Sequence, residues 1–452
     1  MNIPVAKNQR LTVDIIDLNA SAQGLARVDG YVLFVPGALP GERVEILVIK
    51  CTSRYGIGKL LHILTPSPDR MEPLCVHYAQ CGGCTLQHMS YAAQLEFKRK
   101  QIQSALHSIA SVRDIDIPPV LGMDHPWDYR SKAAFPFAQV DGQTRFGMYS
   151  ARSHDLIALQ HCPIQHPMLL DVARDIQCWA QENSLNAWDS VNDTGLLRHI
   201  VLRLSVALKR VQVVLVTRHG EIPALEQLCE TLLASGRVQS IFLNINTLPG
   251  NAILGDEMRH LAGELYLQEE LDALVFDISP RAFFQVNIEQ TRKLYALARE
   301  FAMLQPHEVL LDAYCGTGTI GQYLARDAQE VLGLEIEDTA ILDARRNAQK
   351  NSISNAYYEA GPTEKILPHK LAQHWKPDVI LMDPPRKGCD PDFLQSCIQS
   401  GAQRLLYISC NPATLARDMR ILMDGGYTPQ RLQGVDLFPQ TLHVETCVLL
   451  SK

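Results

Sequence analysis

Along the 452-residue chain the spacing of apolar positions changes character twice. In the first 65 residues, short alternating stretches (LTVDIIDL, YVLFVPG and RVEILVIK) are separated by Gly, Pro and Asn/Asp turns, which predicts a small β-barrel. TPSPDRMEP (65–73) then reads as a linker. From about residue 74 to 275 strands and helices mix: AAFPFAQV turns at an Asp-Gly pair into TRFGMYS, and HIVLRLSVAL turns into RVQVVLVT with Lys209 and Arg210 in the bend. After 276 strands alternate with helices, through EVLLDAYCG, EVLGLEIE, DVILMDPP, RLLYISCNP and a last HVETCVLLS, the pattern of a doubly wound parallel sheet. The fold class is therefore α/β at the C-terminus, behind a β-barrel and a mixed α+β region. The expected domains are 1–68, 69–275 and 276–452.

Composition changes this picture little. The content of 46% hydrophobic and 20% charged residues is ordinary for a globular chain too long for one core. No apolar run is long enough to cross a membrane, and MNIPVAKNQR lacks the apolar stretch of a signal peptide, so a cytoplasmic protein without a membrane partner is expected. Twelve cysteines in such a chain point to metal or catalytic roles for some of them rather than to a disulfide framework. The net charge of −7 says little about nucleic acid, because local patches decide phosphate binding.

Two strand ends carry candidate chemistry. VLLDAYCGTGTIGQYLA (309–325) is an apolar strand, a Gly-rich turn and a helix, with Gly316, Gly318 and Gly321 in G-x-G-x-x-G spacing and Glu335 at the end of the next strand, where a ribose-binding acid is expected. The motif also fits a dinucleotide enzyme. Asp312 favours S-adenosylmethionine, since a carboxylate there repels a pyrophosphate but suits a ligand bearing an ammonium and a sulfonium. In DVILMDPPRKG, Asp383 and two prolines fix a rigid loop at the same sheet edge, with Arg386 and Lys387 beside it for a nucleic-acid phosphate; a plain solvated turn is the alternative. Cys410, in LLYISCNPATLARD, ends a buried strand and is either a cleft thiol or a small core hydrophobe.

With DAYCGTGTIG, DPPRKG, SCNP and HVE in this order, the chain resembles the RNA uracil-5 methyltransferases, and GLARVDGYVLFVPGALPGE resembles their TRAM RNA-binding barrel. The resemblance implies a Rossmann-like SAM-dependent methyltransferase domain behind an OB-like TRAM barrel. It implies that Cys410 is the nucleophile and Glu445 the general base, with Gln285 of FFQVN, Tyr314, Gly316, Thr319, Glu335 and Asp383 at cofactor or substrate positions. Thr319 departs from the Asn found in some ribosomal members. Carbon 5 of uracil cannot attack a methyl sulfonium unaided, and a thiolate adding at carbon 6 makes it nucleophilic. Cys389 is a rival thiol placed beyond Gly388, and Cys315 lies inside the cofactor loop.

CVHYAQCGGC sets Cys75, Cys81 and Cys84 in C-x5-C-x2-C spacing, with Cys162 far downstream, which suits a [4Fe-4S] cluster or four-thiolate zinc. The resemblance favours the cluster, in a structural or RNA-positioning role, since the C-x3-C-x2-C spacing of radical enzymes is absent. Cys51, Cys178, Cys229, Cys397 and Cys447 are assigned to packing. The barrel, Arg130 with Lys132, and Lys98-Arg99-Lys100 are candidate RNA contacts, the last also readable as one turn of solvated helix. The expected partner is 23S rRNA, with tRNA the alternative, for a monomeric enzyme. An amino-directed methyltransferase using the DPP loop would leave Cys410 idle, and a non-catalytic RNA-binding protein would need neither Cys410 nor Glu445.

Overall fold

The computed structural model describes residues 3–151 and 153–452. The N-terminal strands form one six-stranded sheet in the order Arg10–Asp14, Arg43–Cys51, Tyr55–Thr65, Tyr31–Pro36, Gln23–Val28, Asp17–Leu18. Their alternate residues, including Val13, Ala26, Leu33, Val35, Val44, Ile46 and Val48, make a single core. The segment expected as a free linker is tied down. Arg70 donates through Nη2 to Glu42 Oε2 at 2.9 Å and to the Gly37 carbonyl at 2.7 Å, and its Nε pairs with the other oxygen of the buried Glu42.

The middle of the chain builds a seven-stranded, mainly antiparallel sheet in the order Glu257–Gly263, Val238–Ile245, Arg210–Thr217, Leu197–Ser205, Lys132–Val140, Gln143–Tyr149, Leu156–Ala158. Asp141 and Gly142 both have positive φ (51° and 75°), the twist a two-residue hairpin requires. In the other expected hairpin the bend is displaced by one residue. Arg210 already pairs with Ser205, so Val206–Lys209 make the turn, held by the buried Glu269, which accepts from the amides of Val206 (2.6 Å) and Ala207 (3.1 Å).

The C-terminal sheet runs Ala356–Ala360, Glu330–Glu335, Val309–Ala313, Val379–Met382, Arg404–Ser409, Glu445–Ser451, Thr428–Val435. Its first five strands are parallel, but Glu445–Ser451 is antiparallel to both neighbours, against the all-parallel expectation. No crossover helix separates Thr428–Val435 from Glu445–Ser451, so the chain returns antiparallel. This reversal brings the first residue of Glu445–Ser451 to the edge where the parallel strands end. The helix Tyr91–Ala105 and the turn after it pack against this sheet's helices, with Ile102, Leu106, Ala110 and Val120 in the same core as Leu405, Tyr407 and Leu415. Among the described residues no helix is long and apolar enough to cross a membrane.

Candidate active site

The carboxyl edge of the parallel strands opens into one cleft of about 670 Å³, lined by Gln285, Tyr314, Gly316, Thr319, Glu335, Asp383, Cys410 and Glu445 among others. The residues assigned from the sequence to catalysis and to S-adenosylmethionine therefore face one space, apart from the four cysteines assigned to a cluster.

At Gly318 and Gly321 the Gly-rich turn is shaped by contacts that leave no room for side chains. Asp312 Oδ2 accepts from the Gly321 amide at 2.9 Å, and a Cβ at Gly321 would come within 2.5 Å of that oxygen. A Cβ at Gly318 would strike the Tyr358 ring at 2.8 Å. Tyr314 holds φ +62°, an unfavourable conformation for a bulky residue and a frequent mark of functional sites. Glu335 Oε2 accepts from the Gly316 amide at 3.0 Å, and Oε1 accepts from Ile336 at 2.8 Å, so the carboxylate is fixed at the mouth of the turn. Thr319 is hydrogen-bonded to the buried Tyr295 hydroxyl at 2.7 Å. Tyr295, Phe283 and Phe438 also line the cleft, and the sequence reading missed all three. Phe283 opens the FFQVN motif itself, so membership of a motif was a usable signal; Phe438, five positions before the HVE motif, and Tyr295 had none.

Cys410 and Glu445 meet through sheet register. Ser409 pairs with Thr446 across the ladder, so the next residues outward, Cys410 and Glu445, face each other past its end. Burial, then the Glu445 carboxyl, pushes the Cys410 thiol up to about 11, opposed by the Arg386 guanidinium. Burial also holds Asp383 and Glu445 above the usual carboxylate range. Burial raises Asp312 to about 8. The cleft thus gathers acidic groups that are costly to ionise together and that a cationic ligand would stabilise.

The Asp-Pro-Pro loop is pinned beside Cys410. Asn411 Nδ2 donates to the Arg386 carbonyl at 3.2 Å, Arg417 Nη2 to the Lys387 carbonyl at 2.9 Å, and Arg386 Nη2 is 3.0 Å from His443 Nε2. Gly388, at φ +81°, leaves space that Asp418 and Arg417 occupy. Arg386 and Lys387 remain exposed at the cleft. Cys389 is turned into the core, 3.6 Å from the Tyr407 hydroxyl, and does not line the cleft.

Cys75, Cys81, Cys84 and Cys162 line a second, small and largely enclosed cavity. None is in a disulfide. Burial pushes Cys84 up to about 12, and the neighbouring Cys162, Cys81 and Cys75 sulfurs push the same way, which places the four thiols within electrostatic reach of one another. Among the described residues no three His, Cys, Asp or Glu side chains close into a site for a single metal ion. Four free thiols around one cavity still have the donor chemistry of a cluster site.

Of the basic candidates, Lys98 is neither a solvated face nor an RNA contact: it is fully buried and paired with Asp436 at 2.6 Å, both side chains being 0% exposed. Arg99 pairs with Glu96 on its own helix at 2.7 Å. Lys100 is exposed. Lys132 is half-buried, which lowers it to about 8.

The profile of the family described as tRNA (Uracil-5-)-methyltransferase matches residues 90–452, and that of the TRAM domain matches residues 4–61. An uncharacterized RNA methyltransferase of Halalkalibacterium halodurans is 44% identical over 99% of this chain and 98% of its own length. One from Enterococcus faecalis is 40% identical over 100% and 99%. Among solved structures, the Pyrococcus abyssi tRNA (uracil-54, C5)-methyltransferase in complex with S-adenosyl-L-homocysteine superposes with a TM-score of 0.78 at 26% identity, covering 97% of this chain and 100% of that one.

Proposed function

The chain belongs to the tRNA (Uracil-5-)-methyltransferase family, and from that premise we propose that it forms 5-methyluridine in 23S rRNA through a covalent adduct between Cys410 and carbon 6 of the target uracil. The observation that carries this reading is the convergence of Cys410, Glu445 and Asp383 with the Gly-rich turn on one cleft. S-adenosylmethionine, bound against Gln285, Tyr314, Gly316, Thr319 and Glu335, supplies an electrophilic methyl group.

The remaining chemistry belongs to the protein. The target base is drawn out of the RNA into the cleft, where Asp383 and the rigid prolines face its edge. The Cys410 thiolate adds at carbon 6, and the electron pair shifted to carbon 5 takes the methyl group. Glu445 then accepts the carbon 5 proton, the carbon 5–carbon 6 double bond re-forms and the thiolate leaves. Arg386, beside Cys410, favours the thiolate. Arg386 and Lys387 are placed to meet phosphates.

We assign Cys75, Cys81, Cys84 and Cys162 as ligands of a [4Fe-4S] cluster that would crosslink the loop before Tyr91 to the central sheet. These cysteines, together with the barrel, favour a ribosomal substrate. The likeness to the archaeal tRNA enzyme extends over the barrel as well, and it favours the second reading, a tRNA substrate.

Two experiments test this. Mass mapping of RNA from a deletion strain names the lost methyluridine, and loss from tRNA alone overturns the ribosomal reading. Incubated with that unmethylated RNA and S-adenosylmethionine, Glu445→Gln should accumulate a methylated protein–RNA adduct that survives denaturation, Cys410→Ala should form none, and Cys389→Ala should turn over like the parent. Turnover by Cys410→Ala would remove the covalent mechanism.

A further inference from the structure

The segment from Asp436 to Val444 brings Phe438 into the cleft and delivers Glu445 to its place, yet it has no regular secondary structure of its own. Its position is set from outside, chiefly by residues more than 300 positions earlier in the chain. Lys98 Nζ donates to Asp436 Oδ1 at 2.6 Å and to the Phe438 carbonyl at 3.1 Å. The same Asp436 oxygen accepts from the Phe438 amide at 3.2 Å, while Oδ2 accepts from the Tyr91 hydroxyl at 2.9 Å. One helical turn before Lys98, Gln94 accepts from the Gln440 amide at 3.0 Å and donates to the Gln440 side chain at 2.9 Å. The Gln440 carbonyl accepts from the amides of Thr85 (2.9 Å) and Leu86 (3.0 Å), directly after Cys84.

A buried ion pair is an expensive way to stabilise a fold, since apolar side chains of similar size often serve as well or better. What the charged pair adds is direction, because Asp436 Oδ1 and the Lys98 ammonium are committed to particular atoms of this segment and Asp436 Oδ2 to the Tyr91 hydroxyl behind it. We propose that Lys98, through Asp436, is a positioning residue for the proton-abstraction step: it fixes the Asp436–Val444 segment so that Glu445 reaches carbon 5 of the methylated adduct. This rests on the covalent reading of the site given above. It sets Lys98 and its helix Tyr91–Ala105 behind the general base rather than on the RNA.

Lys98→Met/Asp436→Asn removes both charges together, leaving no unpaired ion in the core, and keeps an amide able to bond Phe438 and Tyr91. With S-adenosylmethionine and total RNA from the deletion strain, this variant should keep its melting temperature and its S-adenosylhomocysteine affinity within about twofold. Its methylated adduct should decay at least about tenfold more slowly than the parent's, a partial loss of the ~10²–10⁴-fold that a well-placed general base contributes. Lys98→Met alone, which leaves Asp436 charged, should slow decay at least as much wherever it folds. Decay at the parental rate in the double variant overturns the inference. So does a parallel fall in melting temperature, cofactor affinity and methyl transfer, which marks the pair as structural only. Glu445→Gln is the control: if it traps no adduct, the covalent reading has failed, whereas trapping there with normal decay in the double variant sinks the positioning role alone.

Discussion

Cys410, the nucleophile we propose, has surroundings that mostly oppose its ionisation. Burial and Glu445 hold the thiol at about 11, and the nearby Arg386 guanidinium pulls it down. Only the thiolate alkylates, so iodoacetamide labelling of Cys410, followed peptide by peptide by mass spectrometry, should rise about tenfold per pH unit from about pH 7 to pH 9. Glu445→Gln removes a raising group and should move the profile to lower pH. A plateau below about pH 9 in the parent would show the thiol to be activated by the protein alone. The role of such a residue is only half legible in sequence. A cysteine at a strand end can be named, but the neighbour that raises it lies 35 positions on and reaches it only through an antiparallel register. Tyr295 and Lys98 show the same limit. One stands in a helix without a motif, and the other sits in a run of three basic residues that reads as solvent-facing until Asp436 is folded against it.

The strand that holds Asp312 and the strands that end just before Asp383 and Cys410 were legible because each is a mainly apolar run ended by a turn motif. Thr428–Val435 was not, since TPQRLQGV alternates weakly and carries a proline, and with it the antiparallel return was missed. The cysteine loop was legible as spacing but not as geometry: it is an irregular segment whose shape depends on Ser150 and Gln440 beyond it. Its chemistry is open to direct measurement. Protein purified without oxygen should contain iron and absorb broadly near ~400 nm, as thiolate-ligated clusters do. Stoichiometric zinc without iron would replace the cluster by a four-thiolate ion site. Cys81→Ser should lose iron and RNA affinity while S-adenosylhomocysteine binding persists, because the cofactor turn shares no residue with that cavity.

At the scale of the whole chain, the barrel is joined to the rest through a charged clasp rather than a free tether. Arg70, in the segment that reads as a linker, satisfies Glu42, which also accepts from the amides of Leu39 (2.8 Å) and Ser67 (3.3 Å). Burial alone would raise the Glu42 carboxyl, but Arg70 and these amides outweigh it and hold it below the usual carboxylate range. A group depressed in this way stabilises the fold at neutral pH, and that contribution is lost as the pH falls through the folded-state value. Arg70→Met leaves the buried carboxylate without its cation, which should cost about 2–3 kcal/mol of barrel stability. In a thermal melt monitored by hydrogen exchange, residues 10–65 should lose protection first, and the acid sensitivity tied to Glu42 should weaken because the ionised form is no longer favoured. RNA affinity should drop with the loosened barrel while S-adenosylhomocysteine affinity stays unchanged, since the cofactor cleft is built wholly from residues after 282. Unchanged RNA affinity in a variant whose barrel has demonstrably loosened would take the barrel out of substrate binding, leaving the central sheet and the Arg386–Lys387 loop to hold the RNA.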